Sequence, residues 1–387
     1  MLDPRTNVPP EGALVATLEG ELDLASGRRL TSVEVAYETF GRLSADGSNA
    51  VLVCHALSGD SHVTSGDVGV SPGWWEPMVG PGRALDTDRL FVICSNVLGG
   101  CSGTTGPGST DPDTGVPYGS AFPFVTIEDM VEVQRRLLDH LGIVRLAAVV
   151  GGSMGGMQAL AWAKHHPERV TAVVADATTP RLGAQPIAFN VVGRRAILDD
   201  PAFAGGDYYQ SDSQPDAGLS IARMVGHITY LSNESMHEKF GRRLREGIEY
   251  AYDFVNEFEV ETYLAHQGRR FTERFDANTY LLMTKAMDYF DLRGESETLA
   301  EAVRGTPDRW LVTSFSSDWL FSTDQARDLA IALLAADKQV TFAEFESPYG
   351  HDAFLLEVEQ QTSLLRPFLE NSVRACAESL RRKEDAA

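Results

Sequence analysis

The 387-residue chain sets 33 Lys and Arg against 55 Asp and Glu, a formal net charge of −22, with 43% hydrophobic and 23% charged residues. This is longer than one average domain, so a core carrying an inserted or appended unit is expected. The excess of acid excludes the basic stripe of a nucleic-acid binder and obliges any polyanionic ligand to meet a local positive patch; no apolar run is long enough to span a bilayer. The opening residues Met1-Leu2-Asp3-Pro4-Arg5 lack the basic and apolar regions of a signal peptide, so the expected compartment is the cytoplasm. Cys54, Cys94, Cys101 and Cys376 form no CxxC pair, so neither a metal site nor a disulfide framework is expected, and the cysteines read as small apolar fillers.

In chain order, strand-like patterns at Leu14 to Leu22 and Val33 to Tyr37 suit an opening hairpin. The apolar runs Ala50 to His55 and Arg89 to Cys94 look like buried parallel strands, each followed by a loop, the second glycine-rich from Gly99 to Gly108. Thr126 to Leu141 has helical spacing, with Thr126 as N-cap and Asp129 three residues on. Leu146 to Val150 reads as a strand, Met157 to His166 as a helix ended by Pro167, and Val170 to Ala175 as a further strand. The alternation breaks near Gly183. From there to about Gly294 the pattern is helical, clearest at Ala222 to Leu231, Phe240 to Glu246, Glu257 to Gln267 and Ala277 to Phe290. Strands resume at Arg309 to Thr313 and Gln339 to Phe345, and a helix from Phe354 to about Leu380 closes the chain. The expected fold class is α/β: a mostly parallel central sheet with helices on both faces, its core made of residues 1–183 and 297–387, with residues 184–296 inserted as a helical lid.

Gly151-Gly152-Ser153-Met154-Gly155 fits G-x-S-x-G directly after a strand and before a helix, the context of the nucleophile elbow of the α/β-hydrolase fold. A tight turn there needs small neighbours, and the helix N-terminus favours developing negative charge. The alternative is a glycine-rich strand-to-helix turn without chemistry. A serine nucleophile needs an acid and a base, in the chain order Ser, Asp, His for this fold. Asp318 follows the strand at 309–313 and His351 follows the last strand. The other histidines precede the serine, end helices or fall in the insertion. The oxyanion hole is expected from the backbone N–H groups of Met154 and of Leu57 in His55-Ala56-Leu57-Ser58-Gly59, unless that segment is merely a turn. Gly99 to Gly108 lacks Gly-Lys-Ser/Thr and is no P-loop; it is expected beside the site.

Over nearly its whole length the chain resembles the homoserine O-acyltransferases of methionine biosynthesis. The resemblance is carried by Cys54 to Gly59, Asn96 to Cys101, Thr104 to Pro107, Gly151 to Gln158, Arg274 to Asn278, Ala286 to Asp291 and Tyr349 to Phe354; Thr104-Thr105 stands where many members have Ser-Thr. It implies Ser153, Asp318 and His351 as triad, an insertion acting as lid and dimer contact, and Arg223 and Asp352 as substrate contacts. Chemistry agrees, since a guanidinium can grip the carboxylate of an amino-acid acceptor and a carboxylate can take its ammonium.

The implied reaction has two halves: Ser153 takes the acyl group from a coenzyme A thioester, and the acceptor hydroxyl then removes it, His351 serving as base in both. No cofactor is bound permanently and no metal is required; the co-substrate is acetyl-CoA and the acceptor L-homoserine. Succinyl users of the family tend to carry arginine two residues after the triad aspartate, whereas this position is Leu320, so acetyl is the expected donor. A succinyl donor, serine as acceptor, an esterase or thioesterase on the same triad, and an inactive scaffold of the same fold all stay open at this level.

Overall fold

The computed structural model describes residues 6–66, 71–246, 249–250 and 252–384. The opening residues Met1 to Arg5 lie outside them. Eight strands form one sheet: β1 (Leu14–Leu18), β2 (Val33–Phe40), β3 (Ala50–Cys54), β4 (Phe91–Ser95), β5 (Ala148–Gly152), β6 (Ala172–Asp176), β7 (Arg309–Phe315) and β8 (Gln339–Phe345). Their spatial order is 1-2-4-3-5-6-7-8. The pairs β1–β2 and β2–β4 are antiparallel, and every later pair is parallel.

Every side chain of β3, β5 and β6 is buried, as strands covered on both faces require. Leu52, Val149 and Val173 face a core shared with the helices α1 (Ile127–His140) and α2 (Met154–His165), while Val51, Val150 and Val174 face the terminal helix. Helix α1 starts on a reciprocal cap: Thr126 Oγ1 accepts from the Asp129 N–H, and Asp129 Oδ2 accepts from the Thr126 N–H.

Between β6 and β7 the chain leaves the sheet for an insertion that includes the helices α3 (Ala184–Leu198), α4 (Asp216–Tyr230), α5 (Asn233–Lys239), α6 (Glu259–Thr272) and α7 (Ala277–Tyr289). They enclose a small core of their own around Ile197, Leu219, Phe271 and Tyr280. Its neck is tied where the Leu292 N–H donates to the Pro180 carbonyl at 2.8 Å. The helix expected over Phe240 to Glu246 is displaced. The Ser232 hydroxyl caps the Ser235 N–H and starts α5 earlier, and Gly241, at φ 53°, turns the chain where the expected helix would continue. Helix α8 (Leu299–Ala302) leads into β7, and α9 (Thr323–Ala335), opened by a Ser322/Gln325 cap, joins β7 to β8. The closing helix is two pieces, α10 (Ala353–Leu356) and α11 (Val358–Glu384), parted at Glu357. Among the described residues no helix is long and apolar enough to cross a membrane.

Candidate active site

The turn from β5 into α2 holds Ser153 at φ 58° and ψ −124°, a conformation a side-chain-bearing residue keeps only when its surroundings enforce it. Here they do: the Ser153 N–H donates to the Asp176 carbonyl at the end of β6, and the Thr178 hydroxyl donates to the Ser153 carbonyl at 2.8 Å. Asp318 comes from the loop after β7 and His351 from the loop after β8, so the ends of three parallel strands on one side of the sheet, β5, β7 and β8, deliver the three groups. His351 Nδ1 lies 2.7 Å from Asp318 Oδ2, and Nε2 lies 2.8 Å from Ser153 Oγ. With Nδ1 donating to the carboxylate, Nε2 is left as acceptor for the serine hydroxyl. The other oxygen of Asp318 accepts the N–H groups of Leu320 and Phe321 at 3.0 and 2.9 Å, which fixes the carboxylate in place. Phe321 in turn stacks on the imidazole at 4.7 Å. All three members are buried.

Burial pulls the His351 imidazole toward its neutral form, but the Asp318 charge and hydrogen bond outweigh it, with smaller help from Asp352 and Asp176, so its pKa is raised.

The segment His55 to Gly59 is braced from below. His55 is buried; its Nε2 accepts the Val97 N–H at 3.1 Å, and Nδ1 donates to the Ala56 carbonyl at 2.8 Å. Gln158 on α2 donates to the His55 carbonyl, and its own oxygen accepts from Gln134 of α1 at 2.8 Å. A buried amide chain thus ties the loop bearing Leu57 to the helix bearing Met154. The Leu57 and Met154 N–H groups carry no backbone partner among the described residues.

Beside Ser153 opens a narrow chamber lined by Leu57, Leu182, Phe189, Val225, Met287 and Leu320, with Asn190, Thr229 and two tyrosines adding polarity. None of its described lining residues is charged. At the mouth, Arg223 of α4 lies over the Phe271 ring at 4.5 Å and the Tyr230 ring at 5.5 Å. Asp352, next to His351, is half-buried; desolvation raises its pKa, and the charges of His351 and Arg223 oppose that rise. The Arg223 charge reaches Asp352 although the two form no direct ion pair among the described residues.

Comparison with known proteins turns this geometry into kinship. The α/β hydrolase fold family matches residues 49–358. The homoserine O-acetyltransferase of Methanococcoides burtonii is 54% identical over 355 residues, covering 91% of this chain and 72% of that protein. The homoserine O-succinyltransferase of Bordetella avium is 51% identical over 372 residues, covering 95% of this chain and 90% of that protein. The chain belongs to the homoserine O-acyltransferase family. A crystal structure of the homoserine O-acetyltransferase from Bacillus anthracis superposes with a TM-score of 0.85 at 28% identity, covering 92% of this chain and 97% of that one.

Two groups near the site were given no role by the sequence, although Arg274 opens one of the segments that carry the family resemblance. Arg274 reaches Ser58 from the turn before α7 and is taken up below. Asp176 ends β6 beneath Ser153 and accepts the Thr313 hydroxyl at 2.6 Å. Burial pushes its pKa up to about 7, the Thr313 hydrogen bond working against the rise. A carboxylic acid raised above its unfolded value contributes stability at low pH that is lost as pH rises through about 7. Asp176→Asn should therefore gain thermal stability over the wild type increasingly between pH 5 and 8, read by thermal melts in that range. It also removes a negative charge that holds the proton on His351. The acid limb of kcat/KM should move to lower pH by about half a unit. A limb that stays put or moves upward would contradict the coupling.

Proposed function

We propose that this protein is a homoserine O-acetyltransferase acting by a ping-pong acyl-serine mechanism. The observation that carries the reading is the serial hydrogen bonding of Ser153, His351 and Asp318 at a strand-to-helix elbow, in a chain 54% identical to a protein of that name. His351 Nε2 takes the Ser153 proton as Oγ attacks the thioester carbonyl of acetyl-CoA, and the tetrahedral oxyanion rests on the Leu57 and Met154 N–H groups. The imidazolium returns its proton to the departing thiolate, which leaves as coenzyme A. L-Homoserine then enters; its hydroxyl loses a proton to His351 and attacks the acetyl-serine, the Oγ–acyl bond breaks as His351 returns that proton to Ser153 Oγ, and O-acetylhomoserine departs. The insertion acts as the lid that excludes competing water. No resident cofactor or metal enters this scheme, and the cytoplasm, where acetyl-CoA is made and used, is its setting.

Acetyl as donor is supported by the uncharged chamber and by Leu320 within it. A succinyl carboxylate would be desolvated there without a cation, which is costly. Wild type should prefer acetyl-CoA about tenfold or more in kcat/KM. Leu320→Arg should raise the succinyl-to-acetyl ratio by about 100-fold by supplying the missing partner. The decisive experiment is a matrix of steady-state rates with acetyl-CoA and succinyl-CoA against L-homoserine, L-serine and no acceptor. O-acetylhomoserine as the main product supports the reading; undiminished thioester hydrolysis without acceptor, or serine as the better acceptor, sinks it.

A homodimer through the lid is supported by the exposed apolar side chains of Val191 and Leu198 on α3 and Ile221 and Ile228 on α4, each pair two turns apart. Light scattering should find a dimer, and Ile221→Glu with Ile228→Glu should make it a monomer. A monomeric wild type refutes the assignment.

A further inference from the structure

The proposed acceptor presents one carboxylate, and Arg223 is not the only cation near its place. Arg274, between α6 and α7, reaches the same ring: its Cζ lies 5.4 Å from the Phe271 centroid, against 4.5 Å for Arg223. The two guanidinium carbons are therefore no more than about 10 Å apart, and the Arg223 charge reaches Arg274. Like charges so close repel each other. Elsewhere in the insertion several arginines are neutralised, Arg194 by Asp288 at 2.6 Å, Arg243 by Glu259 at 2.8 Å and Arg270 by Glu273 at 3.4 Å, while the exposed Arg242, Arg245 and Arg269 meet a ring, a carbonyl and an imidazole instead. Arg223 and Arg274 have no carboxylate within 4.0 Å among the described residues.

Arg274 is also held ready. One Nη1 hydrogen donates to the Ser58 carbonyl at 2.9 Å, next to Leu57 in the expected oxyanion loop. Its backbone N–H donates to the Phe271 carbonyl. Two residues on, buried Asp276 accepts the Tyr208 and Tyr209 hydroxyls at 2.6 and 3.0 Å and anchors the turn. The side chain is open to solvent yet ringed by protein atoms, and that crowding, with the Arg223 charge, lowers its pKa. Nearby, His227 is buried and kept neutral, its pKa pushed down to about 3 by desolvation and by the charges of Arg223, Lys239 and Arg274. Its Nε2 has no hydrogen-bond partner among the described residues, although Nδ1 meets the Tyr263 hydroxyl at 3.1 Å. A buried polar atom without a protein partner, within reach of the Arg223 and Arg274 charges, suits a site that takes an anionic ligand.

We infer that Arg274 is a second anchor for the acceptor carboxylate, gripping it together with Arg223 while Asp352 takes the ammonium. The inference rests on the homoserine reading and adds to it a residue that selects α-carboxylate acceptors. Because the same guanidinium braces Ser58, acceptor binding is linked to the loop that carries the Leu57 N–H.

The test compares wild type, Arg274→Gln and Arg274→Lys with acetyl-CoA and two acceptors, L-homoserine and L-homoserine amide, which keeps the ammonium and hydroxyl but lacks the carboxylate. Arg274→Gln should raise the KM for L-homoserine about 20-fold, the effect of losing one charged hydrogen-bonded contact. It should change kcat/KM for the amide by less than about threefold, and Arg274→Lys should recover most of the loss on homoserine. Wild type should itself discriminate against the amide, a comparison that holds even where a variant folds poorly. Equal losses on both acceptors overturn the inference, as does a rise confined to the KM for acetyl-CoA, which would assign Arg274 to the donor's phosphates. A wild type that acetylates neither acceptor refutes the homoserine reading itself, a result distinct from either.

Discussion

Ser153→Ala should lower kcat by about 10⁴- to 10⁶-fold and abolish the acyl-enzyme, with the fold intact. Intact-mass spectrometry after mixing with acetyl-CoA should show the acetyl adduct on wild type and none on the variant. The size of the loss follows from the linkage of the three groups. His351 can accept a proton only from the hydroxyl it touches at 2.8 Å, and its own orientation is set by the 2.7 Å contact to Asp318. His351→Ala should therefore cost about as much as Ser153→Ala, and the double variant little more than either, because members of one relay are not additive. Asp318→Asn should cost about 10⁴-fold, since an amide that donates to Nδ1 imposes the wrong tautomer. Stability should move the other way. Ser153 sits at φ 58°, and Ser153→Gly, which tolerates that conformation, should melt higher than wild type while inactive. Retained activity in Ser153→Ala, or a double variant far worse than the singles, would remove the triad from the mechanism.

The parts of the fold legible in the sequence were those whose pattern is set locally and strongly. The strands β3, β5 and β6 are buried on both faces and so read as continuous apolar runs; Thr126 and Asp129 advertise the start of α1 through a cap that needs four residues. Ser153, Asp318 and His351 were legible because each lies shortly after a strand of this sheet. The displaced helix near Phe240 shows the limit: its apolar spacing competes with a Ser232 cap upstream and a left-handed Gly241, and the turn chemistry wins. Helix α9 carries its own Ser322/Gln325 cap, yet its short alanine-rich stripe at Ala326, Leu329, Ala330 and Leu333 gives a weak amphipathic signal. Arg274 and Asp176 were illegible for another reason. Their significance lies in what the topology places beside them, Phe271 and Ser58 for the one, Thr313 and the Ser153 turn for the other.

That turn also marks where the molecule tolerates least. A Cβ on Gly155 would stand 2.0 Å from the carbonyl oxygen of Cys54, the last residue of a strand in the middle of the sheet. No rotamer relieves a backbone-to-backbone clash, so either α2 lifts off the sheet or β3 moves against its two neighbours. Gly155→Ala should therefore destabilise by about 4 kcal/mol or more, in the range reserved for gross steric conflict. Chemical denaturation beside Gly305→Ala, whose added methyl meets nothing within 4 Å, provides the comparison, and that control should lie within about 0.5 kcal/mol of wild type. Any folded fraction should be catalytically poor for a separate reason. Lifting α2 carries Ser153 and the Met154 N–H away from His351 and Leu57, and a displacement near 1 Å costs about 100-fold in rate. Gly156→Ala meets the Cβ of Thr178 at 2.4 Å, an atom that no χ1 rotation moves, so the backbone at Thr178 must give way. A substantial loss is expected there too, with the Thr178 hydrogen bond to the Ser153 carbonyl as its first casualty. Equal stability of Gly155→Ala and Gly305→Ala would mean that the close approach of α2 to β3 is not what sets the geometry of Ser153.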